Sequence, residues 1–210
     1  MIKHIWFDFS DTIASIHKEI HHELLYKTFA KIKNQPLTLE LVDEFKKLRQ
    51  EHKSNSGVFY ALGKPAGFWS ELIHTLDPRK SYALVDSNSP EVLKNLKNIL
   101  PISIFSNMDL DKILPAVDID PKLFTHILSG RMVGKPKPAL EGFYKMIELS
   151  NLKPEEIFYI GDSIGKDIIP AKSVGVKTGF VFGEAKEADY SFKDFQDIFE
   201  FVKSQNEELS

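Results

Sequence analysis

The chain has 210 residues, 42% of them hydrophobic, and a formal net charge of −3. That length suits one ordinary domain plus a small insert and is too short for two full α/β domains. The near-balanced charge excludes the strong basic field of a nucleic-acid or anionic-membrane binder, and the absence of cysteine excludes disulfides, thiolate metal sites and a cysteine nucleophile.

In chain order, Ile2 to Phe9 is a short apolar run rich in β-formers and reads as a buried strand. From about Ser15 to Ala83 the pattern changes. Ile16, Ile20, Leu24, Phe29 and Ile32 recur at helical spacing, as do Leu39, Val42, Phe45 and Leu48 after Pro36. Lys53–Gly57 and Gly63–Gly67 read as loops. Phe68, Trp69, Leu72, Ile73 and Leu76 make another apolar face, best understood as the insert's own core. The stretch is predicted to be a helical insert without strands.

Strands and helices then alternate. Ser89-Pro90-Glu91 opens a helix with a side-chain cap, a proline in the first turn and an acid. Strands are predicted at Ile102–Phe105, Phe124–Leu128, Ile157–Ile160 and Lys177–Val181. Helices are predicted from about Asp109, over Pro138–Leu149, over Ile164–Val174 and over Phe192–Val202, with a polar tail after the last. Such alternation implies right-handed βαβ units and a mostly parallel sheet, an α/β Rossmann-like core formed by residues 1–14 and 84–210, with 15–83 as a small helical domain. No apolar stretch is long enough to span a membrane, and the N-terminal run lacks the features of a signal peptide, so the expectation is a soluble cytoplasmic protein.

In a parallel sheet, ligands bind beyond the carboxyl ends of the strands. There the sequence places Asp8, Ser10, Asp11 and Thr12, then Ser106 and Asn107, then Gly134-Lys135-Pro136, then Asp162, Ser163 and Asp167. One aspartate at a strand end is commonly only a cap or turn residue. Acids, hydroxyls and a lysine converging from four segments are different. Carboxylates can hold Mg²⁺, which prefers oxygen ligands. A hydroxyl and a lysine can bind phosphate oxygens, and a carboxylate in line with phosphorus can attack it.

The segments WFDFSDTI, IFSN, GKPKP and IFYIGDSIGKD, in that order, resemble the four motifs of the haloacid dehalogenase-like hydrolase superfamily. The resemblance runs from near residue 5 to near residue 181 and implies a Rossmann-like core with a helical cap inserted after the first motif. It implies Asp8 as nucleophile and metal ligand, and Ser106 as phosphoryl-binding. Lys135, which directly precedes Pro136, would neutralise nucleophile and phosphate; Lys137 is the competing lysine. Asp162 would complete an Mg²⁺ site, Asp167 would support it directly or through water, and Thr12 and Asn107 would be supporting polar contacts around the phosphate. The substrate would be a small phosphorylated molecule.

One position departs from the pattern. Phosphatases of this family usually carry aspartate two residues after the nucleophile, as general acid and base. Here that residue is Ser10, which has no useful pKa for the task but keeps the backbone carbonyl through which the family contacts the metal. Slow turnover on poor leaving groups is the expectation. Asp11 stands where glycine is common, and alternation along an extended chain would point its side chain away from that of Ser10.

Ser10 also keeps two alternatives open. A metal-free 2-haloacid dehalogenase of this family carries a non-acidic residue there, but usually also an arginine early in the cap, where this chain has only Arg49, late in its first half. The other is a non-catalytic member that binds a phosphorylated ligand or a partner. His17 and His21 lie one helical turn apart without a third ligand, and read as a solvated helix face.

Overall fold

The computed structural model describes residues 1–52 and 54–207. Lys53, which opens the expected loop, and the last three residues of the expected polar tail lie outside the described residues.

The chain divides into two compact units, one of Met1–Ser15 with Tyr82–Ser210 and one of Ile16–Ser81. In the first, a six-stranded sheet has the order β5-β4-β1-β6-β7-β8. Its strands are β1 (His4–Phe7), β4 (Ile102–Ser106), β5 (Ile127–Ser129), β6 (Ile157–Gly161), β7 (Lys177–Val181) and β8 (Tyr190–Phe192), with every neighbouring pair parallel. Every residue of β1, β4 and β6 is buried, as near-continuous apolar runs in a doubly covered sheet require.

Alternate side chains of these strands serve opposite faces. Trp6, Phe105, Leu128 and Tyr159 join Phe143 and Met146 of a helix over Glu141–Ser150 in one buried cluster. On the other side Phe7 stacks on Phe195 and Phe158 packs against Phe192 and Phe201. The sheet is thus clothed by helices on both faces. The chain leaves β1 to build β4 and β5 on one side, then crosses to β6, β7 and β8 on the other, so the topological switch falls beside β1.

The second unit is helical: α1 (Lys18–Lys33), α2 (Leu39–His52), α3 (Asn55–Ala61), α4 (Phe68–His74) and α5 (Pro78–Ser81). Its interior is aromatic. Phe45 lies against Phe29 and Phe59, and Phe59 stacks on Trp69. Trp69 is buried and Phe68 half-buried against Phe59, so both belong to this interior. His17 precedes α1 rather than lying in it, while the His21 ring meets Trp69 edge-on.

Several sequence expectations are corrected. Two short strands, β2 (Ala14–Ile16) and β3 (Tyr82–Leu84), pair with each other at the ends of the stretch expected to be purely helical. They are three residues each, too short to leave a periodic signal. β8 was not expected either; it is a short edge strand of mixed polarity. The helix expected from Asp109 is only the turn α7 (Ile113–Ala116), after a loop. Helix α6 (Ser89–Lys97) begins as expected with Pro90 in its first turn, but Asn88 is the cap residue and Ser89 Oγ is buried without a hydrogen-bond partner. The helix expected over Ile164–Val174 opens with a π-helical turn, Ile164–Ile168, before an α-helical segment over Ile169–Ser173.

Candidate active site

Asp8 directly follows β1, at the switch point, with its N–H bonded to Ile160 O of β6 at 2.8 Å. Asp162 follows β6 and Asp167 sits in the π-helical turn. Carboxylate oxygens of Asp8, Asp162 and Asp167 all lie within 4.8 Å of one another, the one group among the described residues that could hold a metal ion. Gly161 permits this approach: a Cβ there would meet Asp167 Cβ at 2.7 Å.

The lysine of the site is Lys137. Its Nζ donates to Asp8 Oδ1 at 2.6 Å, to Asp167 Oδ1 at 2.6 Å and to the Tyr159 hydroxyl at 2.7 Å. Only 5% of Lys137 is exposed. Lys135, the expected lysine, has a side chain 63% exposed and pairs with Glu141 on the surface. The correction has a physical reason. Two Lys-Pro pairs lie side by side, and the chain path decides which lysine turns inward. Asn107 sets that path: its Oδ1 accepts from Lys137 N–H at 2.6 Å and its Nδ2 donates to Lys137 O at 3.1 Å. Asn107 thus braces the main chain of the lysine.

Ser106 ends β4 fully buried, and its Oγ accepts from Met108 N–H at 3.1 Å. Thr12 is buried and reaches Asp162 Oδ1 at 3.5 Å. The Ser10 hydroxyl is half-buried and its contact is with Met108 Sδ at 3.8 Å, a weak acceptor. Asp11 has φ 61°, in the left-handed region that favours glycine, and its N–H bonds to Ala14 O at 3.0 Å. Asp11 is therefore not part of an extended segment in which side chains alternate. Its exposed carboxylate is near enough to Asp162 to act on it electrostatically.

Burial pushes Asp8 up to about 7; Lys137 opposes this and Asp167 adds to it. Burial also raises Asp162 to about 6, with the charges of Asp167 and Asp11 behind it. Burial pulls the Lys137 ammonium down, but Asp8 and Asp167 outweigh it and leave its pKa above the ordinary value. Burial holds the Tyr159 hydroxyl well above the usual phenol range, with the nearby carboxylates adding to the shift. Three carboxylates thus lie about one buried ammonium, and burial, with mutual repulsion added, makes two of them resist ionisation. An all-oxygen donor set short of compensating charge fits a hard divalent cation.

Lys137 and Tyr159 are the two residues of the centre that the motif pattern alone does not single out. The signal for Tyr159 was its place in an all-apolar central strand, where a phenol must find a polar partner.

A buried carboxylate–ammonium centre stands at the switch point of a parallel α/β sheet, where enzymes of this architecture bind their ligands. A model of the haloacid dehalogenase-like hydrolases matches residues 2–175, and the chain belongs to that family of enzymes. It is 37% identical over 75 residues, 35% of its length and 31% of the relative's, to a glyceraldehyde 3-phosphate phosphatase of Pyrococcus furiosus. It is 33% identical over 88 residues, 39% of each chain, to the protein of that name from Methanocaldococcus jannaschii. The match spans only about a third of these curated relatives. Among solved structures, a HAD phosphatase from Thermococcus onnurineus superposes with a TM-score of 0.74 at 20% identity, covering 96% of this chain and 98% of the other, a likeness of fold. Among the described residues no helix is long and apolar enough to cross a membrane.

Proposed function

We propose that this enzyme hydrolyses the phosphate monoester of a small metabolite through an aspartyl-phosphate on Asp8. One observation carries the reading: a carboxylate at the switch point, buried, paired with Lys137 and set among further carboxylates. A buried carboxylate held in place by an ammonium suits nucleophilic attack, because its orientation is fixed before substrate arrives.

In the proposed reaction, a carboxylate oxygen of Asp8 forms a bond to phosphorus as the bond to the ester oxygen breaks. The leaving oxygen takes a proton and departs as an alcohol. Water then attacks the phosphorus of the acyl phosphate, releasing inorganic phosphate and restoring the carboxylate. Lys137 neutralises charge between nucleophile and phosphoryl oxygens, and Ser106 lies at the end of the neighbouring strand, ready to hold one of those oxygens. Asp8, Asp162 and the Ser10 main chain would hold Mg²⁺, with Asp167 fixing the centre from behind. When bound, the ion would supply the positive charge the carboxylates lack and draw charge off the transferring group.

Ser10 cannot supply the leaving-group proton, and turnover on alkyl phosphates is expected to be slow. General acid–base help is typically worth ~10²–10⁴ in rate. The phosphatase names of the partly matched relatives support the reaction class and suggest a triose phosphate as the first natural substrate to try. Ser10 equally suits metal-free displacement of halide, but such a reaction needs neither the third carboxylate nor a centre short of positive charge. Arg49, the lone arginine of α1 and α2, falls in the last turn of α2.

Borohydride trapping during turnover of p-nitrophenyl phosphate tests the intermediate. The expected product is homoserine at position 8, found by peptide mass spectrometry. Unmodified Asp8 in an actively hydrolysing sample would refute the covalent route.

A further inference from the structure

The buried hydroxyl of Tyr159 has no role in the reaction as described. The Tyr159 hydroxyl lies at the base of the centre, 2.7 Å from Lys137 Nζ, 3.0 Å from Asp167 Oδ1 and 3.4 Å from Phe105 O. An ammonium has three N–H donors. Those of Lys137 are matched by three acceptors: Asp8, Asp167 and Tyr159. The phenol accepts from Lys137 and passes its own proton toward Asp167 Oδ1. Asp167 is fixed in turn, since its Oδ2 accepts from Ser163 N–H at 3.2 Å.

The ring that carries this hydroxyl cannot easily shift. Tyr159 is fully buried, edge-on to Phe143 at 5.3 Å, within the cluster that holds Phe105 and Trp6. The ammonium also lies 5.3 Å from the centre of the Phe105 ring, a cation–π contact. One side of the lysine head is thus aromatic and immobile, and the other side faces two carboxylates.

We propose that Tyr159 is a positioning residue: its hydroxyl fixes the third N–H of Lys137 and thereby aims the ammonium at Asp8. This rests on the phosphatase reading for its kinetic consequence, but the alignment itself can be tested apart from it. Without the hydroxyl, one buried N–H loses its acceptor and the ammonium is free to settle toward Asp167. The ammonium would then stand less well placed for the transition state, while substrate binding, which Tyr159 does not touch, is preserved.

The test is Tyr159→Phe, with Trp6→Phe beside it. Trp6 belongs to the same core cluster and loses a partly buried hydrogen bond, Nε1 to Ser150 Oγ at 2.8 Å, without touching Lys137. Each variant is assayed with p-nitrophenyl phosphate and Mg²⁺ well below its melting temperature. In parallel, ¹⁵N-lysine-labelled protein is examined by NMR for the Lys137 ammonium resonance, assigned by its loss in Lys137→Met. Tyr159→Phe is expected to lower kcat about 10- to 100-fold with KM within about threefold, and to shift the ammonium resonance. Trp6→Phe is expected to leave both near the wild-type values. Equal kcat in the two variants, or an unmoved ammonium resonance in Tyr159→Phe, would overturn the proposal. If the wild-type enzyme hydrolyses no phosphate ester, the phosphatase reading fails, and the resonance alone decides whether Tyr159 positions the lysine.

Discussion

Lys137 Nζ lies 2.6 Å from Asp8 Oδ1, a buried ion pair between residues 129 positions apart in the chain. The pair ties the loop before helix Glu141–Ser150 to the end of the central strand, and Asp167 draws in the π-helical turn as well. Nearly all of the proposed chemistry follows from that tie.

Removing the lysine alone should therefore be severe. Lys137→Met leaves two buried carboxylates without their cation, and breaking a buried pair in this way costs about 3–5 kcal/mol. Phosphatase activity is expected to fall at least ~10²-fold. Lys135→Met, which removes only a surface contact with Glu141, is expected to change neither activity nor unfolding. Rate assays and urea unfolding of the two variants side by side check this; a silent Lys137→Met with an inactive Lys135→Met would reverse the assignment.

Ser10→Asp is expected to restore the missing proton donor. The gain should be ~10²-fold or more for an alkyl phosphate such as a triose phosphate, and small for p-nitrophenyl phosphate, whose leaving group needs no proton. The ratio of the two rates is the quantity to measure. An equal change for both esters would mean that serine does not limit protonation.

Metal binding at this centre competes with protons. Asp8 at about 7 and Asp162 at about 6 are partly protonated near neutrality in the metal-free protein. A divalent cation must displace those protons, so Mg²⁺ affinity should rise with pH and level off above about 7.5. Titration calorimetry at pH 6.5 in buffers of different ionisation enthalpy should record proton release. Affinity that does not vary with pH, with no proton release, would place the ion elsewhere.

His4 makes a separate pH prediction, at the end of β1 away from the site. It is buried, its Nε2 is 2.9 Å from Ser103 Oγ, and its ring stacks on Trp6 and His126. Burial, with His126 adding, lowers it to about 4. Between the unfolded value of about 6.5 and that folded value, only the unfolded chain binds the proton, so stability is full above 6.5 and lost as pH falls toward 4. The loss is roughly 3 kcal/mol, at about 1.4 kcal/mol per pKa unit. Unfolding free energies from pH 4 to 7 should show that slope in the wild type and a flatter one in His4→Gln.

Much of the site was legible in the sequence because its chemistry stands at strand ends. Asp8, Ser106 and Asp162 each close or follow an apolar run, and a strand needs no distant information to be recognised when every side chain is buried. Lys137 was not legible in the same way. Lys135 and Lys137 both precede proline, and what separates them is the grip of Asn107 on one main chain, 30 residues away. Nor is the conformation of Asp11 legible: a backbone turn through φ 61° cannot be inferred from alternation in a strand. The missed strands β2, β3 and β8 are three residues each and take their stability from pairing rather than from their own pattern.

A metal-assisted phosphatase with Asp8 as its nucleophile must lose its activity with either the carboxylate or the metal. Initial rates of p-nitrophenyl phosphate hydrolysis, with and without Mg²⁺, for the wild type and Asp8→Asn, test it most directly. The expected result is hydrolysis by the wild type that requires Mg²⁺ and disappears in Asp8→Asn. Wild-type rates no higher than those of Asp8→Asn, or rates indifferent to Mg²⁺, would contradict it and turn attention to halide release from 2-haloacids.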